Sequence, residues 1–292
     1  MALSFEQGGL PESARARVTE AAGKSGRFFT STFSVAETAV ARLAGYEAVG
    51  QVMGSSIYHM GWATMASWSG GELTNVTHAQ RHARALALGR LEEEAAILGA
   101  HAVIGVKLTV KGYEWSGELM EFTAIGTAVR LPRAAASNKP ILTHLSAQEL
   151  YKLELAGQWP LGIAMGNCTW YDRHCDCSSD GNWFNQLMTG HTACIDQAQS
   201  LAIARFQTEI GVLGAHAAVG VELQRHFHQH EWSTSNPDRE HTAFKTEVLM
   251  IGTAVVRKSP PTLPRPRLVL DLGSGKRIDL VAQSIPDGEK HG

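Results

Sequence analysis

The chain has 292 residues, 44% of them hydrophobic and 18% charged. At about 150 residues per domain that gives roughly two compact domains and excludes a mainly disordered chain. Its 26 Lys+Arg against 28 Asp+Glu leave a net charge of −2, so no overall basic field is present to hold nucleic acid or an anionic membrane surface.

No run approaches the roughly 18 apolar residues that a membrane span needs, and Glu6, Glu12, Arg15, Arg17 and Glu20 stand where a signal peptide requires an apolar core. The expected setting is cytoplasmic, with residues 1–26 as a mobile N-terminus. Ser34-Val35-Ala36-Glu37 has capping-box spacing, in which Ser bonds an orphan helix N–H and Glu reaches back, so a short helix opens the first domain, 27–131. A strand from about Ala48 to Tyr58 follows, then a polar, Gly-rich loop. Val76, Ala79, Ala83, Leu86, Leu91, Ala95 and Leu98 then run mostly at three- and four-residue steps, a long amphipathic helix closed by a left-handed cap at Gly99. Ala102 to Val110 and Glu118 to Arg130 complete the unit as a hairpin.

After a linker over 132–140, the order recurs in 141–257. Ser146-Ala147-Gln148-Glu149 repeats the capping box, Leu161 to Trp170 the strand, and Cys194, Ala198, Leu201, Phe206, Ile210 and Leu213 the helical stripe. Leu43-Ala44-Gly45 returns as Leu155-Ala156-Gly157, 112 positions on. Leu98-Gly99-Ala100-His101-Ala102 returns as Leu213-Gly214-Ala215-His216-Ala217, 115 on, and Ile125-Gly126-Thr127-Ala128-Val129 as Ile251-Gly252-Thr253-Ala254-Val255, 126 on. Collinear matches with a growing offset indicate a duplicated domain whose second copy has longer loops. The fold class is therefore α+β: two tandem β-α-β-β two-layer domains, each a helix on a sheet. A Pro-rich linker over 258–266, a terminal β-hairpin over 267–285 around Gly273-Ser274-Gly275, and a mobile tail over 286–292 end the chain.

The strings Leu98 to Val106 and Gly126-Thr127-Ala128-Val129, after a long helix, resemble the YbjQ-like family, which is named for heavy-metal binding. The resemblance covers about 43–131 and 155–257. It implies a small β-α-β-β fold, single-domain members in rings of five, and hence a homo-oligomer here. Where the family commonly has Asn, this chain has His101 and His216. A ring also has a physical reason, because a three-stranded sheet with one helix leaves edge strands and a face to cover.

Chemistry-bearing residues concentrate in the second repeat. Cys168, His174, Cys175, Cys177, His191 and Cys194 fall within 27 residues, and thiolate and imidazole are the ligands zinc and copper prefer. Cys194 aligns with Ala79 on the apolar stripe and Cys168 with Ser56 in a strand, so both also suit a core role. His174, Cys175, Cys177 and His191 are left as loop residues that either converge on a metal or remain solvated. His226, His228 and His230 alternate along one strand with Val219, Val221, Leu223 and Phe227, placing the histidines outward as a second candidate metal face or a plain polar one. Arg90 with Glu94, and Arg205 with Glu209, read as helix-surface ion pairs, and Glu121 and Glu247 as structural carboxylates.

No catalytic residue is nominated. Phosphate-loop, dinucleotide, zinc-protease and nucleophile-elbow motifs are all missing from the sequence. The expected function is a non-enzymatic homo-oligomer that binds a metal, zinc or copper, through its second repeat. The alternative is a ring-forming scaffold without metal. Neither reading involves nucleic acid or a membrane.

Overall fold

The structure is a computed structural model that describes residues 9–23, 30–59, 70–113, 116–132, 139–172, 189–233, 240–260, 268–270 and 277–279. Helix α1 (Glu12–Gly23) is followed by α2 (Val35–Ala44), β1 (Glu47–His59), β2 (Gly71–Glu72), α3 (Thr74–Ile97), β3 (Ala102–Tyr113) and β4 (Ser116–Arg130). The second half runs β5 (Ile141–Leu142), α4 (Ala147–Leu155), β6 (Gln158–Asp172), α5 (Thr189–Val212), β7 (Ala217–Ser233) and β8 (Glu240–Arg257). β9 (Leu268–Leu270) and β10 (Arg277–Asp279) pair antiparallel, the expected terminal hairpin.

Local chemistry starts and stops these elements as the sequence leads one to expect. Both capping boxes form: Glu37 N–H donates to Ser34 Oγ at 3.2 Å and Ser34 N–H to Glu37 Oε2 at 2.7 Å, with Ser146 and Glu149 matching at 3.3 and 2.8 Å. Gly99 and Gly214 end the long helices at φ 66° and 70°, where a Cβ is costly. One expectation is corrected here. Residues of the supposedly mobile N-terminus form α1, which packs on α3 with Val18 buried, and Leu10 just before it is buried too.

Two four-stranded sheets result, in orders β1-β4-β3-β5 and β2-β6-β8-β7. Each contains a strand donated by the other half. β5, which follows the linker, pairs in parallel with Ala102 and Val103 of β3, and β2 adds to the end of β6 at Trp170 and Tyr171. α3 lies on β1 and β4, and α5 on β6 and β8. Close packing of helix on strand relies on Gly54 and Gly166. A Cβ at Gly54 would stand 2.6 Å from Leu91 N, and one at Gly166 2.5 Å from Phe206 N. The largest core cluster draws on both halves, joining Val52, Leu91 and Phe122 to Ile163, Met165, Leu249 and Ile251.

Candidate functional site

His174, Cys175 and Cys177 lie outside the described residues, as does the His230 side chain. Cys168 is fully buried against Ala198, Ala202 and Val248, and its thiol is pushed up to about 12 by burial and then by the Glu72 carboxylate. That thiol is a core group and no ready thiolate. Cys194 is half-buried, its thiol raised by burial and by Asp172, which it hydrogen-bonds. His191 Nδ1 stands 3.5 Å from Asp172 Oδ2. The structure therefore brings His191 and Cys194 together around Asp172, which the sequence offered as no candidate. Among the described residues, no three His, Cys, Asp or Glu side chains form a metal-holding group.

His226 and His228 are exposed, as expected, but so are Val221, Leu223 and Phe227, at 45, 45 and 50%. The expected inward face of β7 is thus corrected. A bulge between Val219 and Glu222, with Gly220 at φ 62°, breaks the alternation, and α5 packs on β6 and β8 and leaves β7 uncovered. The supposed surface ion pairs are corrected too. Arg90 and Glu94 are buried and serve the strand beneath: Glu94 Oε2 accepts from Met53 N–H at 2.9 Å and Arg90 donates to Ser55 O at 2.5 Å. Glu209 accepts from Met165 N–H at the same 2.9 Å, the matching contact on the second sheet.

Among the described residues, the joint between the halves carries an extensive set of polar and apolar contacts. Thr77 of α3 accepts from the Asn167 side chain at 3.0 Å and its hydroxyl accepts from Thr169 N–H at 3.0 Å, while Thr169 Oγ1 donates to Gln80 at 3.2 Å. Leu73 N–H donates to Thr169 O at 2.8 Å. Glu72 of β2 meets Arg205 of α5 at 2.7 and 2.9 Å; burial works to raise this carboxylate, but the guanidinium outweighs it and holds Glu72 below its ordinary range. On the other side, Thr143 Oγ1 and Thr253 Oγ1 are 2.9 Å apart and Val106 N–H donates to Thr143 O at 3.0 Å.

Equivalent positions in the two halves differ sharply in exposure. On the face that the second half offers to the first, Met165 is 8% and Thr169 0% exposed; their counterparts Met53 and Ile57 are 46 and 60%. On the face that the first half offers to the second, Val106 is 3% and Leu88 8% exposed; their counterparts Val221 and Ile203 are 45 and 40%. α3 buries eleven of its residues, α5 only Ala198, Ala202 and Phe206. Of the three charged residues on α5, Asp196, Arg205 and Glu209, only Asp196 is exposed. A solvated helix face normally carries more charge than this. The motif comparison of the repeats was legible in sequence; the joint was missed because its contacts span 90 residues or so and leave no local pattern.

Comparisons with known proteins agree with this architecture. Residues 28–132 match a family model described as "Putative heavy-metal-binding". An encapsulin nanocompartment protein of Mycobacterium tuberculosis, Rv1762c, is 32% identical over 256 residues, spanning 84% of this chain and 92% of that protein, and so runs through both halves. A UPF0145 protein of Thermus thermophilus is 38% identical over 94 residues, 30% of this chain and 80% of the relative. One from Pseudothermotoga lettingae is 33% identical over 100 residues, 32% of this chain and 92% of the relative. No solved structure gives a significant match. None of these descriptions names an enzyme, and among the described residues no helix is long and apolar enough to cross a membrane. With relatives above 30% identity matched over most of their length, the chain belongs to the YbjQ-like, or UPF0145, family.

Proposed function

We propose that this protein is a non-enzymatic assembly module whose chains join head to tail, each new joint repeating the one between its own halves. The carrying observation is the exposure of counterparts: the second half presents Val221, Leu223 and Ile203 with no first half to cover them, and the first half presents Met53 and Ile57 with no second half. Two such faces are the complementary sides of one heterologous contact. Large apolar side chains exposed on a surface are the kind that mark an interaction site. The encapsulin name of the Mycobacterium relative supports an assembly role. In this reading the units are 27–131 and 141–257, each a YbjQ-like domain. The free thiols Cys168 and Cys194 suit a cytoplasmic setting.

Light scattering on the purified chain tests this. The expected mass is a multiple of 31.5 kDa, and Ile57→Asp or Val221→Asp, each with unchanged circular dichroism, returns it to one chain. A wild-type chain that stays at a single-chain mass at high micromolar concentration overturns the proposal.

A second reading, metal binding through the second repeat, rests on Asp172 at the end of β6 contacting both His191 and Cys194 near the start of α5. Zinc or copper is the metal these ligands suit. Elemental analysis of chain purified without tag or chelator is expected to give near-stoichiometric metal, lost in Cys175→Ser/Cys177→Ser. Equal metal in that variant removes the two thiols from the site, and no metal leaves the scaffold alone.

A further inference from the structure

Between the halves lies a cleft of about 560 Å³ that the assembly surfaces do not use. Arg84 of α3 reaches it from the first half, beside Val110 and Met120, while Phe227, Lys245 and Glu247 line it from the second. Arg84 is the unusual member. It is 4% exposed, its guanidinium lies 5.3 Å from the Phe122 ring centroid, and its Nε and Nη1 have no hydrogen-bond partner. Burial pulls it down to about 10, the nearby Glu247 carboxylate opposing, so it still carries its charge at neutral pH.

Glu247 does not discharge that debt, because it is already engaged. Lys245 Nζ is 2.9 Å from its Oε1 and His228 Nε2 is 4.0 Å away. Burial alone would raise Glu247, yet Lys245, His228 and Arg84 together hold it low and ionised. With Lys245 and Glu247 cancelling, the cleft retains the net positive charge of one guanidinium whose Nε and Nη1 have no hydrogen-bond partner. A buried, unpaired charge is costly to keep, and a guanidinium fork is the group best shaped for a carboxylate. Val110, Met120, Phe227 and Leu249 give the wall an apolar part beside the polar Gln224, His226 and His228, and the volume lies in the range of small-molecule sites. The counterpart of Arg84 is Gln199, so the site is peculiar to the joint inside one chain and stands apart from the assembly reading.

We infer that the cleft between the halves binds a small amphipathic monoanion, its carboxylate on Arg84 and its apolar body along Val110, Met120 and Phe227.

Titration calorimetry of the full chain with octanoate, octanol and inorganic phosphate tests this. Octanoate is expected to bind saturably at one per chain, with octanol and phosphate each at least tenfold weaker. Arg84→Met, which keeps the side-chain length and drops the charge, is expected to weaken octanoate at least tenfold while holding or raising the melting temperature. Should that variant fail to fold, Gln224→Glu, which sets a negative charge in the cleft from the exposed strand β7, is expected to do the same. Absence of saturable octanoate binding, equal binding of octanol or phosphate, or unchanged octanoate affinity in a folded variant overturns the inference.

Discussion

Glu72 and Arg205 show how much of the joint hangs on single residues. They come from different halves, are 16 and 27% exposed at the side chain, and meet at 2.7 and 2.9 Å. A charge-assisted, partly buried contact of this kind is worth about 1.5–3 kcal/mol. Its pH dependence has a definite sign. Glu72 is held below its ordinary value in the folded chain, so the unfolded chain binds the extra proton first, and the stabilisation is present above the ordinary carboxylate range and lost as pH falls through it. Glu72→Gln is therefore expected to lower the melting temperature at pH 7, and the gap between variant and wild type to close as pH falls from about 5 toward 3. A gap that is constant across this range shows that the pair contributes no charge-dependent stability. Sequence alone gave no hint of this contact, because Glu72 sits in a two-residue strand and its partner 133 positions away. Cys168 is legible as a core position from its alignment with the strand residue Ser56, whereas Asp172 becomes visible as a companion to His191 only when β6 and α5 are placed together. The same holds for Arg84, whose charge on a helical stripe reads as solvated until Phe122 and the second half close over it.

At the scale of elements, what was local in sequence proved readable. Capping boxes at Ser34 and Ser146 and glycine caps at Gly99 and Gly214 each depend on residues within one turn, and the repeat supplies each signal twice. What depended on the register between strands was not readable. The bulges that Gly105 and Gly220 permit, at φ 65° and 62°, shift β3 and β7 against β4 and β8, and the face assigned from strict alternation is lost beyond them. α1 was missed for a related reason. Its apolar residues are few, and it is held by Arg15 on Glu93, Arg17 on Glu94, the Leu10 amide on Glu93 at 2.9 Å and Arg90 on Gly9 O at 3.3 Å, all contacts with a distant helix. The two long helices make the point most directly. They have the same length of 24 residues and the same place on their sheets, yet α3 is buried on two sides because β6 crosses it, while α5 has one side open. The difference lies in the neighbour supplied.

For the molecule as a whole, the direction of the joint has consequences that its composition does not. A contact between unlike faces leaves one of each face unused at the ends of any open array, and it either closes into a ring or grows as a filament. If the proposed joint closes, a ring of whole two-unit chains holds an even number of units, so a ring of five units, as the family resemblance implies for single-domain members, does not fit this chain. The unlike-face geometry also makes a mixing experiment decisive. Val221→Asp spoils the face of the second half and keeps that of the first; Ile57→Asp does the reverse, and each alone is expected to stay a single chain. Mixed in equal amounts, the two variants retain one intact pair of complementary faces, and light scattering is expected to find a species of two chains that grows no further. A contact between like faces predicts the opposite, since each variant would then still pair with itself through its intact face and mixing would add nothing. Burying one Asp against apolar side chains without a partner costs several kcal/mol, enough to silence a joint whose apolar contacts are each worth about 1.5–3 kcal/mol. The mixed two-chain species is thus the outcome that ties the buried residues inside one chain to the exposed ones on its surface.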